Sequence, residues 1–182
     1  SSGSLILPLP GHDSTYIVIG GNDFQYEPTY SIPAPEVISA VIFAETETGS
    51  VKIKKVIPEV FRDMFPESSN ITACRHANGR DWWIITSKWY SNTYYKILIS
   101  PDGVSPAYAQ QIGSMVYPSD GLRDFDYRSQ AVFSPDGSKY AMVSQSNELH
   151  LYDFDRCSGD LSNFRIAYID TTNERITACS FS

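Results

Sequence analysis

ITACRHANGRDWWIIT, residues 71–86, reads as two strand-sized arms closed around Asn78-Gly79. An Asn-Gly pair supplies the positive φ angles of a two-residue type I′ turn, so the stretch is expected to fold as a β-hairpin. Counting outward from the turn pairs Ala77 with Arg80, His76 with Asp81, Arg75 with Trp82 and Cys74 with Trp83. Trp82 and Trp83 are neighbours on one strand and therefore project to opposite faces, so one of the two is expected in a core between blades.

Working outward, YYKILIS (94–100), the turn SPDG and YAQQIGS (108–114) add two more strands, giving four in succession. The same grammar recurs in QAVFS (130–134), SPDG, KYAMVSQS (139–146), ELHLYDF (148–154), a turn through Cys157-Ser158-Gly159, and FRIAYID (164–170). A further copy is expected to begin at ITACSFS (176–182). Toward the start, TYIVIG (15–20), ISAVIFAE (38–45), the turn at 46–49 and VKIKKVI (51–57) fit strands two, three and four of an earlier unit. Its first strand is expected near Leu5-Ile6-Leu7. The one stretch with helical character is Pro58 to Phe65, which Pro66 stops.

SPDG occurs at 100–103 and again at 134–137, and this spacing of 34 residues is misleading because the two copies sit in different hairpins of their units. Equivalent positions give the period: Gly79 to Gly137 is 58 residues and Phe133 to Phe181 is 48. Four-stranded units of about 40 to 50 residues, one enlarged by an insertion, are the pattern of β-propeller blades. The expected fold is all-β: roughly three and a half blades of a larger propeller, at about 1–58, 71–114, 129–170 and 176–182 of a single segment.

AVFSPDGSKYAMVS followed by ELHLYDFD resembles the WD40-like repeats of TolB-type propellers, where an F-S-P-D-G turn leads into a strand and then a Y-x-x-D strand. The larger pattern, from SLILPLPG through HANGRDWWIIT to LYDFDRCSGDLSN, is similar to secreted propeller domains of Bacteroidetes-type bacteria. That resemblance implies an extracellular or cell-surface bacterial protein, with the rest of the propeller supplied by the full-length chain.

Composition narrows the function. A net charge of −7 and a pI near 4.8, with 14 scattered Lys and Arg, leave no basic footprint for nucleic acid. No apolar run is long enough to span a membrane as a helix. The opening SSGSLILPLPG has no basic region and its apolar stretch is broken by prolines, so it does not read as a signal peptide, and the chain reads as a segment of a longer one. The three cysteines lack CxxC spacing and imply neither a zinc site nor a disulfide framework. Asn70-Ile71-Thr72 is formally a glycosylation sequon.

Propeller topology sends the connections between strands two and three, and between blades, to one edge, and that edge holds the long segments. They are rich in rings and carboxylates: Tyr26 and Tyr30; Trp89, Tyr90 and Asn92; Tyr117, Asp120, Arg123, Asp124, Asp126 and Tyr127. Rings stack on apolar faces while amides and carboxylates take hydrogen bonds, so these residues are candidate contacts for a glycan or protein ligand; equally, they can fill the small cores of their own loops. His76, Asp81 and a neighbouring Arg read as a hairpin-supporting ion pair, and Asp153 and Asp155 as strand-end acids rather than metal ligands. No cofactor motif, nucleophile elbow or metal set is present. The leading expectation is a non-catalytic binding module; the alternative is a glycosidase or lyase using carboxylates of the 114–129 insertion.

Overall fold

A computed structural model describes residues 4–21, 38–45, 50–57, 70–88, 91–114, 130–144, 148–169, 176 and 178–182. These residues form β-strands and turns with no α-helix among them; the helix expected at 58–65 lies outside the described residues. β1 (Ser4–Pro8), β2 (Thr15–Gly21), β3 (Ile38–Glu45) and β4 (Val51–Ile57) make one antiparallel sheet in chain order. β5 (Thr72–Arg75), β6 (Trp82–Ser87), β7 (Thr93–Ser100), β8 (Gly103–Val104) and β9 (Tyr108–Gln111) make the second, in which β8 and β9 both pair with β7. β10 (Ala131–Phe133), β11 (Lys139–Val143), β12 (Glu148–Asp155) and β13 (Asp160–Ile169) make the third. Three successive meanders packed face to face are three blades of a β-propeller, here blades 1, 2 and 3.

The fourth strand of blade 2 is split where Pro106 removes a ladder donor. Ser105 bridges the break: its N–H donates to Leu98 O at 2.9 Å and its hydroxyl accepts the Leu98 N–H at 2.8 Å. Residues 178–182 form no strand; Cys179 N donates to Gln130 Oε1 at 2.9 Å, beside the start of β10.

The register Arg75–Trp82 and Cys74–Trp83 is as read from the sequence, but the turn is different. Gly79 alone has positive φ, +73°, and its N–H donates to His76 O at 2.9 Å, so the turn spans His76 to Gly79. Asn78 stays at negative φ and works through its side chain, with Oδ1 accepting the N–H of Arg80 and of Asp81, both at 3.0 Å. Ser134-Pro135-Asp136-Gly137 builds the same turn: Gly137 has φ +72°, donates to Ser134 O at 2.8 Å, and Asp136 Oδ1 accepts Ser138 N at 3.0 Å. The other SPDG does not. Ser100 and Gly103 pair directly, with Gly103 at φ +114°, so one tetrapeptide makes two turns according to the strands it joins.

The core lies between blades. Leu7, Leu9, Ile17, Ile19 and Ile42 of blade 1 meet Ile71, Ile84, Tyr95, Ile97 and Ile99 of blade 2. Cys74, Trp83, Ile85 and Tyr94 on the other face of blade 2 meet Ala131, Tyr140, Met142, Tyr152, Phe154 and Leu161 of blade 3. A strand covered on both faces has no reason to alternate, which is why β6 reads WWII. Trp82 Nε1 donates to Pro8 O at 3.2 Å in blade 1, and Trp83 Nε1 to Arg156 O at 3.0 Å in blade 3. The face of blade 1 turned away from blade 2 leaves Ile6, Val51 and Ile53 more than 60% exposed. All three thiols are free, with Cys74 buried and Cys157 exposed.

Gly159, at φ +73°, sits where an added Cβ would lie 2.9 Å from the Trp83 ring, whereas Gly79 at the same φ faces open space. Gly159→Ala is expected to lower stability by about 2–4 kcal/mol through strain plus overpacking, and Gly79→Ala by about 1 kcal/mol through strain alone. Urea unfolding of the two variants checks the ordering, and equal losses would contradict the packing described.

Candidate functional site

Strand bounds sort the connections unevenly. At one edge of the blades, the first-to-second and third-to-fourth connections are all short; at the other, the chain runs through 22–37, 58–71 and 112–130 as well as the short 88–92 and 144–147. Of the candidate ligand contacts at this long-connection edge, Asn92 is described; Tyr26, Tyr30, Trp89, Tyr90, Tyr117, Asp120, Arg123, Asp124, Asp126 and Tyr127 lie outside the described residues. Asn92 Nδ2 donates to Gly113 O at 3.2 Å, and its carbonyl accepts the Ile112 N–H at 3.0 Å. The side chain fastens the start of β7 to the end of β9, so its amide serves the blade.

Beneath this edge is a buried polar layer that the sequence did not announce. Asn70, 1% exposed, donates to Ser87 Oγ at 2.6 Å and to the Met142 sulfur at 3.6 Å, and accepts from Thr86 Oγ1 at 3.0 Å. Burial closes the sequon at Asn70 in the folded chain. Tyr94 and Tyr152 share a hydroxyl hydrogen bond of 2.6 Å across the interface of blades 2 and 3, and burial pushes the Tyr152 phenol up to about 12. A phenol held neutral in this way is a hydrogen-bonding partner, not a base. His150 is fully buried, with Nε2 2.8 Å from Glu148 Oε2 and Nδ1 without a partner.

The tight-turn edge carries a cleft of about 590 Å3 between β5 and β10, the first strands of blades 2 and 3. Its lining includes Arg75 and Trp82 of blade 2, Val132, Phe133 and Pro135 of blade 3, and Cys74, Gly137 and Arg156. The guanidinium of Arg75 lies over the Trp82 ring at 3.7 Å, a cation–π contact. Arg156 is a cross-brace: Nε donates to Arg75 O at 2.9 Å, Nη2 to His76 O at 3.3 Å and Nη1 to Asp136 O at 3.1 Å.

The ionisable candidates have structural employment. His76 and Asp81 pair through the backbone as counted, His76 N donating to Asp81 O at 2.9 Å, but their side chains form no ion pair. His76 Nδ1 accepts the Asn78 N–H at 3.0 Å, and Nε2 faces Cys157 O at 3.1 Å across the blade interface, so both ring nitrogens are engaged by backbone groups. Asp81 instead takes Arg80 Nε at 2.7 Å and Asn78 Nδ2 at 2.8 Å, which hold its carboxyl below the usual carboxylate range. Asp153 binds Lys139 at 2.6 Å and Asn163 at 2.8 Å; Asp155 accepts the Cys157 N–H at 2.8 Å within its turn. Burial pushes the Cys74 thiol up, away from the thiolate form a nucleophile needs. Among the described residues no cluster of three or more His, Cys, Asp or Glu side chains is placed to hold a metal ion, and no helix is long and apolar enough to cross a membrane.

No family model and no curated protein matches the chain. Among solved structures it is similar to a luciferin-regenerating enzyme at 14% identity, with a TM-score of 0.45 over 93% of this chain and 48% of that one. It is also similar to the periplasmic gluconolactonase of Pseudomonas aeruginosa at 12% identity, TM-score 0.41, over 91% and 56% of the two chains. A protein from Lactobacillus plantarum gives 13% identity and a TM-score of 0.44 over 95% and 55%. The chain spans about half the length of the structures it matches.

Asp136 carries the clearest electrostatic signature. Hydrogen bonds from the Ser134 hydroxyl, then from the Ser138 N–H and hydroxyl, lower its pKa from 3.8 to about 2. A folded pKa below the unfolded one makes the contribution complete above about pH 4 and progressively lost as pH falls toward 2. Asp136→Asn keeps the Oδ1 acceptor, as Asn78 does in the equivalent turn, and removes the titration. Its urea midpoint should therefore decline less steeply than that of wild type between about pH 4 and pH 2; identical slopes would contradict the assignment.

Proposed function

We propose that this chain belongs to a propeller acting as a non-catalytic, secreted or cell-surface binding module that takes a glycan or protein on its long-connection edge. The observation that carries this reading is topological: the long connections 22–37, 58–71 and 112–130 all leave the same edge of the blades, while the opposite edge is closed by tight turns. A rigid scaffold with long loops gathered at one end is the usual arrangement for recognition. Those loops carry Tyr26, Tyr30, Tyr117, Asp120, Arg123, Asp124, Asp126 and Tyr127, and the shorter connection beside them carries Trp89 and Tyr90. The rest of the propeller is the natural cover for the exposed Ile6, Val51 and Ile53 face of blade 1, since a ring needs about four to eight blades to close. On this reading the tied-down states of His76, Asp81 and Asp136 are expected, because a binding scaffold spends its charges on turns.

A glycan array and a panel of surface proteins probed with the complete protein, alongside Trp89→Ala and Tyr127→Ala, test the proposal. Loss of an aromatic anchor is expected to weaken binding by about tenfold or more. Unchanged binding by both variants would overturn the face assignment. Glycan cleavage by the same preparation, abolished in Asp124→Asn, would replace the binding module with an enzyme.

A further inference from the structure

We propose that the cleft between β5 and β10 is a second binding site, for an extended acidic peptide that pairs with a free inner edge as an added strand. The site lies at the tight-turn edge, away from the long connections, and does not depend on the function proposed for them.

Main-chain groups supply the first argument. β5 and β10 each end the strand order of their sheets, so each has one unpaired edge. Donors of an antiparallel ladder alternate, and the alternation can be phased here. His76 N bonds Asp81 O on the next strand, so Thr72 and Cys74 also face β6, and Ala73 and Arg75 turn outward. Arg75 O confirms the phase, because it accepts Arg156 Nε from the neighbouring blade rather than a donor of its own sheet. In β10, Gln130 O accepts Val143 N and Ser134 N donates to Lys139 O, which turns the N–H and C=O of Ala131 and Phe133 outward. Of these outward residues Ala73, Arg75 and Phe133 line the cleft, with Arg75 O already taken by Arg156. Unpaired strand edges of this kind are what extended peptides complete, with main-chain bonds giving affinity and side-chain contacts giving selectivity.

Charge supplies the second argument. Three charged side chains line the cleft: Arg75, Asp136 and Arg156. The Asp136 carboxylate is occupied by Ser134 and Ser138, and Arg156 gives its nitrogens to three backbone carbonyls. Arg75 gives one nitrogen to Arg80 O at 2.6 Å and its Cζ sits 3.7 Å over the Trp82 ring, two contacts that position the guanidinium and leave the rest of its fork of donors for a ligand. A planar guanidinium held this way matches a carboxylate. In a chain of net charge −7, the cleft thus presents a cation with donors to spare. Ala73, Val132 and Pro135 provide apolar contact for the alternate side chains of a bound strand.

The test uses the full chain and three fluorescein-labelled peptides, read by polarisation. The first alternates valine and glutamate, the second replaces glutamate by glutamine, and the third is the acidic peptide N-methylated at alternate backbone nitrogens. The acidic peptide is expected to bind about tenfold tighter than the glutamine peptide, the scale of one charge-assisted hydrogen bond. Arg75→Gln should erase that preference, N-methylation should weaken binding by about tenfold or more, and Trp89→Ala, at the other edge, should leave it unchanged. Backbone amide shifts in the 15N-labelled wild-type protein provide a readout that needs no variant: Ala73, Ala131 or Phe133 should move on addition of the acidic peptide. Equal affinity for the acidic and glutamine peptides, undiminished binding of the methylated one, loss of binding in Trp89→Ala, or shifts confined to the long-connection edge would each overturn the proposal.

Discussion

Trp82 and Trp83 stand next to each other on one strand, and the pleat sends their indoles to opposite faces of the same sheet. Each face must then be covered by a neighbouring blade. Both indole N–H groups donate to another blade, at Pro8 O on one side and Arg156 O on the other. Burying the surrounding side chains is worth about 1.5–3 kcal/mol apiece but has no direction. A hydrogen bond adds only about 0.5–1.5 kcal/mol net but is strongly directional. The apolar faces thus make the blades stack, and the two indoles fix how they stack.

Glycines mark where the stacking is closest. An added Cβ would stand 2.6 Å from Cys74 Sγ at Gly137 and 2.9 Å from the Phe164 ring at Gly113. Around these approaches the blades exchange specific polar contacts. Gln110 Nε2 donates to Leu161 O at 2.7 Å while Gln110 Oε1 accepts Leu161 N at 2.9 Å, so a side-chain amide stands in for a strand at the outer rim. Lys96 pairs with Asp160 there, and Arg156 braces the turns near the inner strands. Bonds at both the rim and the inner strands hold the angle between blades 2 and 3, and a fixed angle is what gives the inner cleft a defined shape.

The meander was legible in the sequence because its signals are local: short β-branched and aromatic runs, punctuated by glycine and proline, with Arg75–Trp82 and Cys74–Trp83 in the register counted from the turn. Local reading erred where two local solutions compete. Asn78-Gly79 reads as a type I′ turn, yet Asn78 serves as an acceptor for two backbone N–H groups, as Asp136 serves in its own turn, and leaves positive φ to the glycine alone. Cross-blade chemistry was not legible. The cross-blade partners of His76, Trp83 and Arg156 lie 73 to 81 residues away, and nothing near Arg156 distinguishes it from an ordinary turn residue. The cleft shared this fate, since its walls come from two blades. Asn92, singled out for its loop, also ties the start of β7 to the end of β9, a contact across 21 residues that its neighbours in sequence do not announce.

If the indoles and the double-sided strand govern the structure, blades 2 and 3 cannot open separately. Native-state hydrogen exchange measures this directly, with the amides of β6 reporting on blade 2 and those of β11 on blade 3. The account predicts a common opening free energy for the two strands in the wild type and an equal drop in both on Trp83→Leu, which removes the donor to Arg156 O and part of the shared core. Full protection of β11 in that variant, with exchange accelerated in β6 alone, would contradict it.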